Sequence, residues 1–234
     1  MALGACRNRR CGRNIRIERD NTMRQRKVKN EEERLAEHHQ YLIEDPKARK
    51  GKWQGVFENG NGIYAEFGCG KGKFIMTLAE QNPDRNYIAI EGRGSIILRA
   101  LEKAAREELK NIVFVKEYIK DVNEYFDAEE LTGIYLNFSD PWPKDRHAKR
   151  RLTHSRYLDG YRAILKKGCC IEFKTDNVDL FSFAIKEFER SSMKLLKSTE
   201  DLHSTELEAK QVTTEYEDKF HAEGKKINYC KVQA

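Results

Sequence analysis

Between Ile63 and Arg190 the chain alternates a short apolar run with a longer stretch of helical period, and it does so five times. IYAEF (63–67), YIAIE (87–91), IVFVK (112–116), IYLNF (134–138) and CCIEFK (169–174) are rich in β-branched and aromatic residues and have the length of strands. Among the intervening helices, KFIMTLAEQN (73–82) is stopped by Pro83. SIILRALEKAAREEL (95–109) puts Ile96, Ile97, Ala100, Leu101, Ala104 and Ala105 on one face. A short helix follows the third strand, then one near 153–166 and NVDLFSFAIKEFER (177–190). Such alternation demands crossover connections, hence a largely parallel sheet covered on both faces. MKLLKS (193–198) and INYCKV (227–232) add two late strands, expected to pair antiparallel at one edge. The predicted fold class is α/β: a mostly parallel seven-stranded sheet with helices on both faces.

Before this pattern, EEERLAEHHQYLI reads as a short helix and DPKARKGKWQGVFENGNG as a connecting segment rich in turn residues. No internal repeat appears. The chain carries a net charge of +6, and residues 1–29 alone hold ten Arg and Lys against Glu18 and Asp20, a local +8. The remainder is therefore slightly acidic, and the basic excess is an N-terminal arm of the kind that contacts phosphate backbones. No apolar run approaches the roughly 20 residues of a membrane helix, and the first residues lack the apolar core of a secretory signal. Six cysteines without CxxC spacing are expected to be free thiols in a reducing, cytoplasmic setting, with no metal site.

In an open α/β sheet, ligands sit beyond the carboxyl ends of the strands. The first strand ends AEFGCGKGKF, where Glu66 precedes Gly68, Gly70 and Gly72; the glycines permit a tight turn and close backbone approach to a ligand. The second ends at Glu91, whose carboxylate suits a ribose diol. A nicotinamide dehydrogenase shares that second acid, but it does not predict NFSDPWPK at the fourth strand. There Asp140 is followed by Pro141-Trp142-Pro143, which stiffens the loop, and by Lys144, Arg146, His147, Lys149, Arg150 and Arg151.

The segments AEFGCGKG, YIAIEGR, NFSDPWPKDRHAKRRL, FKTDN and TEYEDKF, in this order, resemble the bacterial tRNA (guanine-N7-)-methyltransferase family. The resemblance runs from about Met23 to the end of the chain. It implies a Rossmann-like methyltransferase fold, S-adenosylmethionine as methyl donor, and methylation of guanine N7 in the tRNA variable loop. It also implies cofactor contact by Glu66, Gly68, Gly70, Gly72, Glu91, Tyr118 and Asp140. Lys144, Asp176, Thr214, Glu215, Tyr216 and Glu217 fall at its substrate-contact positions, and Arg146, His147, Lys149, Arg150 and Arg151 would hold the RNA backbone. At Tyr118 the family usually carries an Asp that meets the adenine amino group; here a phenol takes its place, with Glu117 and Asp121 close by.

Guanine N7 offers a lone pair and no proton, so methyl transfer to it needs orientation rather than a base. Asp140, the catalytic candidate, can favour the cationic product or hold the N1–H edge of the guanine. Trp142 can stack on the base or anchor the loop. Asp176 has the position of an N-cap for the helix that starts near Asn177. Thr214 and Glu217 have the spacing of a capping box, with Gly224 closing that helix.

Two other classes compete: a non-catalytic RNA-binding protein on a methyltransferase scaffold, and a small-molecule methyltransferase, which leaves RHAKRR unexplained. Neither a membrane nor an obligate protein partner is expected. The chain is expected to divide into a disordered extension (1–22), a basic arm and connecting segment (23–62) and a methyltransferase domain (63–234). Met23 opens MRQRKVKN, which resembles the usual beginning of the family, and residues 1–22 carry six Arg against two acids with few apolar residues. A chain beginning at Met23 is expected to keep its melting temperature and its methylation rate on tRNA at moderate salt. Unfolding or loss of catalysis on truncation would make the first 22 residues part of the working structure.

Overall fold

The computed structural model describes residues 28–234; the expected extension, and Arg24, Arg26 and Lys27 of the basic arm, lie outside the described residues. Seven strands form one sheet: β1 (Ile63–Phe67), β2 (Asn86–Ile90), β3 (Ile112–Val115), β4 (Leu131–Asn137), β5 (Leu165–Thr175), β6 (Lys194–Thr199) and β7 (Asn228–Gln233). Their order is β3-β2-β1-β4-β5-β7-β6. The first five run parallel, and β7 is antiparallel to both β5 and β6. The mostly parallel α/β sheet is thus the one the alternation predicts. Two strands start earlier than their apolar runs: β4 begins at Leu131, and β5 leaves the preceding helix directly at Leu165. Thr132 and Gly133, and Lys166 to Gly168, interrupt the apolar pattern there, and a register shift between Leu131 and Gly133 absorbs the irregularity.

Alternate residues of each strand feed two separate cores, which is why continuous apolar runs were needed. On one face Ala89, Phe114 and Tyr135 pack against α3 (Lys73–Gln81) and α4 (Gly94–Glu107), through Phe74, Ile75, Ile97 and Leu101. On the other, Ile63, Ala65, Phe67, Ile88 and Ile134 meet α5 (Ser155–Ile164) and α6 (Val178–Arg190), through Leu158, Tyr161, Phe181 and Phe188. The excursion between β6 and β7 carries α7 (Glu215–Ala222) and a small core of its own, in which Leu202, Ile227 and Tyr229 meet Phe138 and Phe220. α7 ends as its sequence predicts: Gly224 adopts φ 75°, and Lys225 N–H reaches back to Phe220 O.

Residues 28–62 join this body more tightly than a connecting segment requires. After α1 (Glu31–Ala36), Tyr41 to Ile43 bond along β3: Phe114 N–H donates to Tyr41 O at 2.8 Å and Ile43 N–H to Phe114 O at 2.9 Å. Just before α2 (Gln54–Phe57), Trp53 is wholly buried; its Nε1 donates to Tyr125 O at 2.8 Å and its ring stacks on Phe126. Glu130 fixes the approach by accepting from the N–H groups of Gly51, Trp53 and Asp127. Trp53 plugs the core beneath the sheet, so Trp53→Ala should cost about 3–5 kcal/mol of stability, read as a lowered midpoint in denaturant unfolding.

Candidate functional site

Strand order reverses between β1 and β4, so the loops beyond these two strands diverge and leave a crevice. The glycine-rich loop lies on one side. Gly68 and Cys69 donate their N–H groups to Ile90 O, and Gly68, Gly70 and Gly72 all have positive φ, from 58° to 84°. They do different jobs. A Cβ on Gly72 would meet Ala100 Cβ at 3.0 Å, so this glycine lets α3 approach α4; Gly68 and Gly70 face open space, with nothing within 4 Å of where a Cβ would stand. That free backbone can receive a ligand without a side chain intervening.

Glu66 lies beneath the loop, 1% exposed, on the last turn of β1's pleat. Asn137 Nδ2, from the end of β4, donates to its Oε1 at 2.8 Å, while Oε2 has no hydrogen-bond partner among the described residues. Burial pushes this carboxyl up to about 8; the Asn137 bond opposes the shift, the charges of Glu215 and Glu91 add to it, and Lys174 offsets them in part. An acid so short of partners at the rim fits a cationic or hydrogen-bond-donating group of a ligand. Glu91, one residue beyond β2, is half-buried and accepts from Gly70 N–H at 3.2 Å and from Arg93 N–H at 2.9 Å. Burial raises its carboxyl too, the two N–H bonds lower it, and the charge of Asp140 raises it.

Tyr118 stands beyond β3, 65% exposed, with its ring flat against Gly92: a Cβ there would come within 2.4 Å of three ring atoms. Its hydroxyl raises the Arg93 guanidinium above the ordinary range, chiefly through a hydrogen bond. The phenol therefore sits beside Glu91 on the side of the crevice facing away from β1.

Asp140 is exposed and flanked by two strained residues, Phe138 at φ 49° and Trp142 at φ 43°. Bulky side chains rarely adopt this region, and the cost, of order 1–3 kcal/mol each, persists only where neighbours enforce it. Arg151 supplies part of that enforcement. Its Nε and Nη2 donate to Pro141 O and Trp142 O, both at 3.0 Å, and its guanidinium lies over the Phe183 ring. Arg151 thus differs from the rest of its cluster: it braces the loop, and two of its donors are already used. Arg146, Lys149 and Arg150 are exposed along the 3-10 turn Asp145–Arg150, with Lys144 just ahead of it. Trp142 is half-buried between the Arg150 guanidinium, 4.8 Å from its centroid, and the edge-on ring of His147.

Two expectations are corrected. Asn177, not Asp176, caps α6, its Oδ1 accepting from Leu180 N–H at 2.8 Å; Asp176 lines a cavity of about 240 Å³ together with Val178, Lys225 and Asn228. The capping box of α7 is half made: Thr214 Oγ1 accepts from Glu217 N–H at 2.9 Å, but the Glu217 carboxylate does not return to Thr214. It turns inward, 0% exposed, to pair with the buried Lys174 at 3.0 Å. Glu215 pairs with Lys103 on α4, and Tyr216 is exposed. Lys174 and Asn137 were not read as site residues. Their signal was a polar residue closing an otherwise apolar buried strand.

The upward shift at Glu66 has a sign. A free carboxyl releases its proton near 4.5 and folded Glu66 near 8, so its contribution to stability is complete below about 4.5 and is lost as pH rises through 8. Glu66→Gln abolishes that loss. Its melting temperature relative to the parent protein should therefore be higher at pH 8 than at pH 5, as thermal melts at both values would show.

Residues 61–230 match a family model described as "Putative methyltransferase". A tRNA (guanine-N(7)-)-methyltransferase of Clostridioides difficile (strain 630) is 46% identical over 90% of this chain and 99% of its own length. One of Bacillus subtilis (strain 168) is 44% identical over 85% and 93%. Among solved structures, 16S rRNA methyltransferase KamB superposes with a TM-score of 0.60 at 14% identity, over 78% of this chain and 92% of that one, a likeness of fold. With its glycine loop, rim acids and basic turn in the same order as the motifs, this chain belongs to the tRNA (guanine-N(7)-)-methyltransferase family.

Proposed function

We propose that the protein transfers a methyl group from S-adenosylmethionine to N7 of a guanosine in the variable loop of tRNA. One observation carries the reading: Glu66, Glu91 and Asp140 meet at one rim with a glycine loop, and an exposed basic turn starts within a few residues of Asp140. The bare backbone at Gly68 and Gly70, the unpartnered Oε2 of Glu66 and the two oxygens of Glu91 fit such a cofactor. Glu66 would face its cationic portion, Glu91 its ribose hydroxyls, and Tyr118 the adenine side of the crevice. When bound, the cofactor supplies an electrophilic methyl group on a sulfonium.

The chain's own task follows from the nucleophile. N7 has a lone pair in the plane of the base and nothing to deprotonate, so no side chain need remove a proton. Holding the nitrogen in line with the methyl carbon can contribute about 7–11 kcal/mol. The strained, braced loop from Phe138 to Trp142 suits that demand, because a carboxylate fixed before the reaction needs no reorganisation during it. As the bond forms, the guanine ring becomes cationic, and Asp140 offers it a negative charge. Arg146, Lys149 and Arg150 would grip phosphates next to the target base, with Lys144, Asp176, Thr214, Glu215 and Tyr216 around the nucleotide.

Asp140→Asn should leave the melting temperature unchanged and slow single-turnover methylation of tRNA by one to two powers of ten, since a charge-assisted contact is worth about 1.5–3 kcal/mol. A rate within twofold of the parent would remove Asp140 from the mechanism. Reversing Lys149 and Arg150 to Glu should weaken tRNA binding, flatten its dependence on salt and spare S-adenosylmethionine binding. Binding isotherms at two salt concentrations would check this, and an unaltered slope would exclude phosphate contact by these two residues.

A further inference from the structure

We propose that Lys174 is a positioning residue for the methyl transfer: from the end of β5 it fixes the strip Val212–Glu217, from which Thr214, Glu215 and Tyr216 face the site. The inference rests on the function proposed above and adds a residue that touches neither substrate nor cofactor.

Lys174 is 2% exposed, and its Nζ donates to Ala209 O at 2.6 Å, Val212 O at 2.8 Å and Glu217 Oε2 at 3.0 Å. An ammonium has three protons and no lone pair, so all its donors are spent. The Phe74 ring, on the helix that follows the glycine loop, lies 5.3 Å away. Burial pushes the ammonium below the ordinary lysine range, and Glu217 counteracts this. All three acceptors belong to the β6–β7 excursion. Val212 and Glu217 bracket the strip, so one atom at the sheet rim sets both of its ends. His203 Nε2, also in the excursion, lies 3.0 Å from Glu217 Oε1 and completes the polar cluster.

Val212 itself packs into the core beneath α3 and α4, but the strip's other polar ties are weaker. Lys73 reaches Thr213 Oγ1 at 2.9 Å and also Asp218, and Lys103 reaches Glu215 at 3.0 Å. These pairs are part-exposed, where an ion pair is typically worth about 0–1 kcal/mol. The apolar cluster of Leu202, Ile227, Tyr229 and Phe220 secures the rest of the excursion and touches the strip only where the Tyr216 ring meets Phe220. Without Lys174 the excursion keeps its small core, but its near end loses the bonds that orient it.

Breaking a buried pair by removing one partner unfolds more than it tests, whereas replacing both charges with apolar residues of similar volume is often tolerated. The variant is therefore Lys174→Met with Glu217→Leu. Amides of 209–218 should exchange with solvent at least tenfold faster while those of β1 to β5 keep their protection. The KM for tRNA should rise at least tenfold, with kcat and the Kd for S-adenosylmethionine each within threefold. Parent-like exchange in the strip with a parent-like KM would overturn the proposal. So would exchange accelerated equally throughout the sheet, which would make Lys174 a general determinant of folding. Glu217→Gln, which keeps the volume, is the second arm should the double variant not fold: the same changes at smaller size are expected, and parent values overturn the proposal. If the parent protein itself fails to methylate tRNA, the functional reading falls, while the exchange measurement still decides the positioning role.

Discussion

The parallel pairing of β1 with β4, at the point where strand order reverses, is the constraint from which the site follows. Tyr64 faces Gly133 and Glu66 faces Tyr135 across this junction. Because both strands run the same way, their last residues come out at one rim, while the crossover helices leave toward opposite faces. The Asn137 to Glu66 bond at 2.8 Å spans the two strands near their carboxyl ends, where both residues are buried. A buried acid with only one partner is costly, and Glu66 meets that cost by holding its proton rather than by finding a second donor. The junction therefore has a polar group in reserve at the spot where a ligand must arrive.

How legible this was depended on which residues report on their own surroundings. Strands buried on both faces must be apolar throughout, so IYAEF and YIAIE revealed their class, and the acids that close or follow them stood out as exceptions. Trp53 was not legible, because its burial depends on Tyr125 O and Glu130, more than 70 residues away. Local rules failed where two outcomes share one pattern. A Thr-x-x-Glu spacing permits a capping box, but the buried Lys174 on β5, rather than the Thr214 N–H, takes the Glu217 carboxylate. Asp176 and Asn177 are both good caps, and the helix starts one residue later than the first of them allows.

The basic cluster shows the same limit in another form. In a run of like charge every residue looks solvated, and only tertiary contact sorts them. Arg151 faces loop carbonyls and the Phe183 ring, whereas Arg146 and Lys149 point outward. An arginine suits the bracing role because its planar fork reaches two adjacent carbonyls at once, which a lysine's point charge does not.

This division answers why a carboxylate at a sheet rim is followed so closely by positive charge. On the function proposed above, an exposed acid beside a polyanion repels the substrate unless nearby cations outweigh it, yet cations too close would neutralise the charge that Asp140 would offer the developing guanine cation. Pro141, Trp142 and Pro143 separate Asp140 from Lys144, and the left-handed turn at Trp142 redirects the chain between them. Beyond that turn, Arg146, Lys149 and Arg150 are exposed, where salt screens a charge within about 10 Å. The left-handed residues Phe138 and Trp142 bend the loop between the acid and the cations, and Arg151 holds that bend by donating to Pro141 O and Trp142 O.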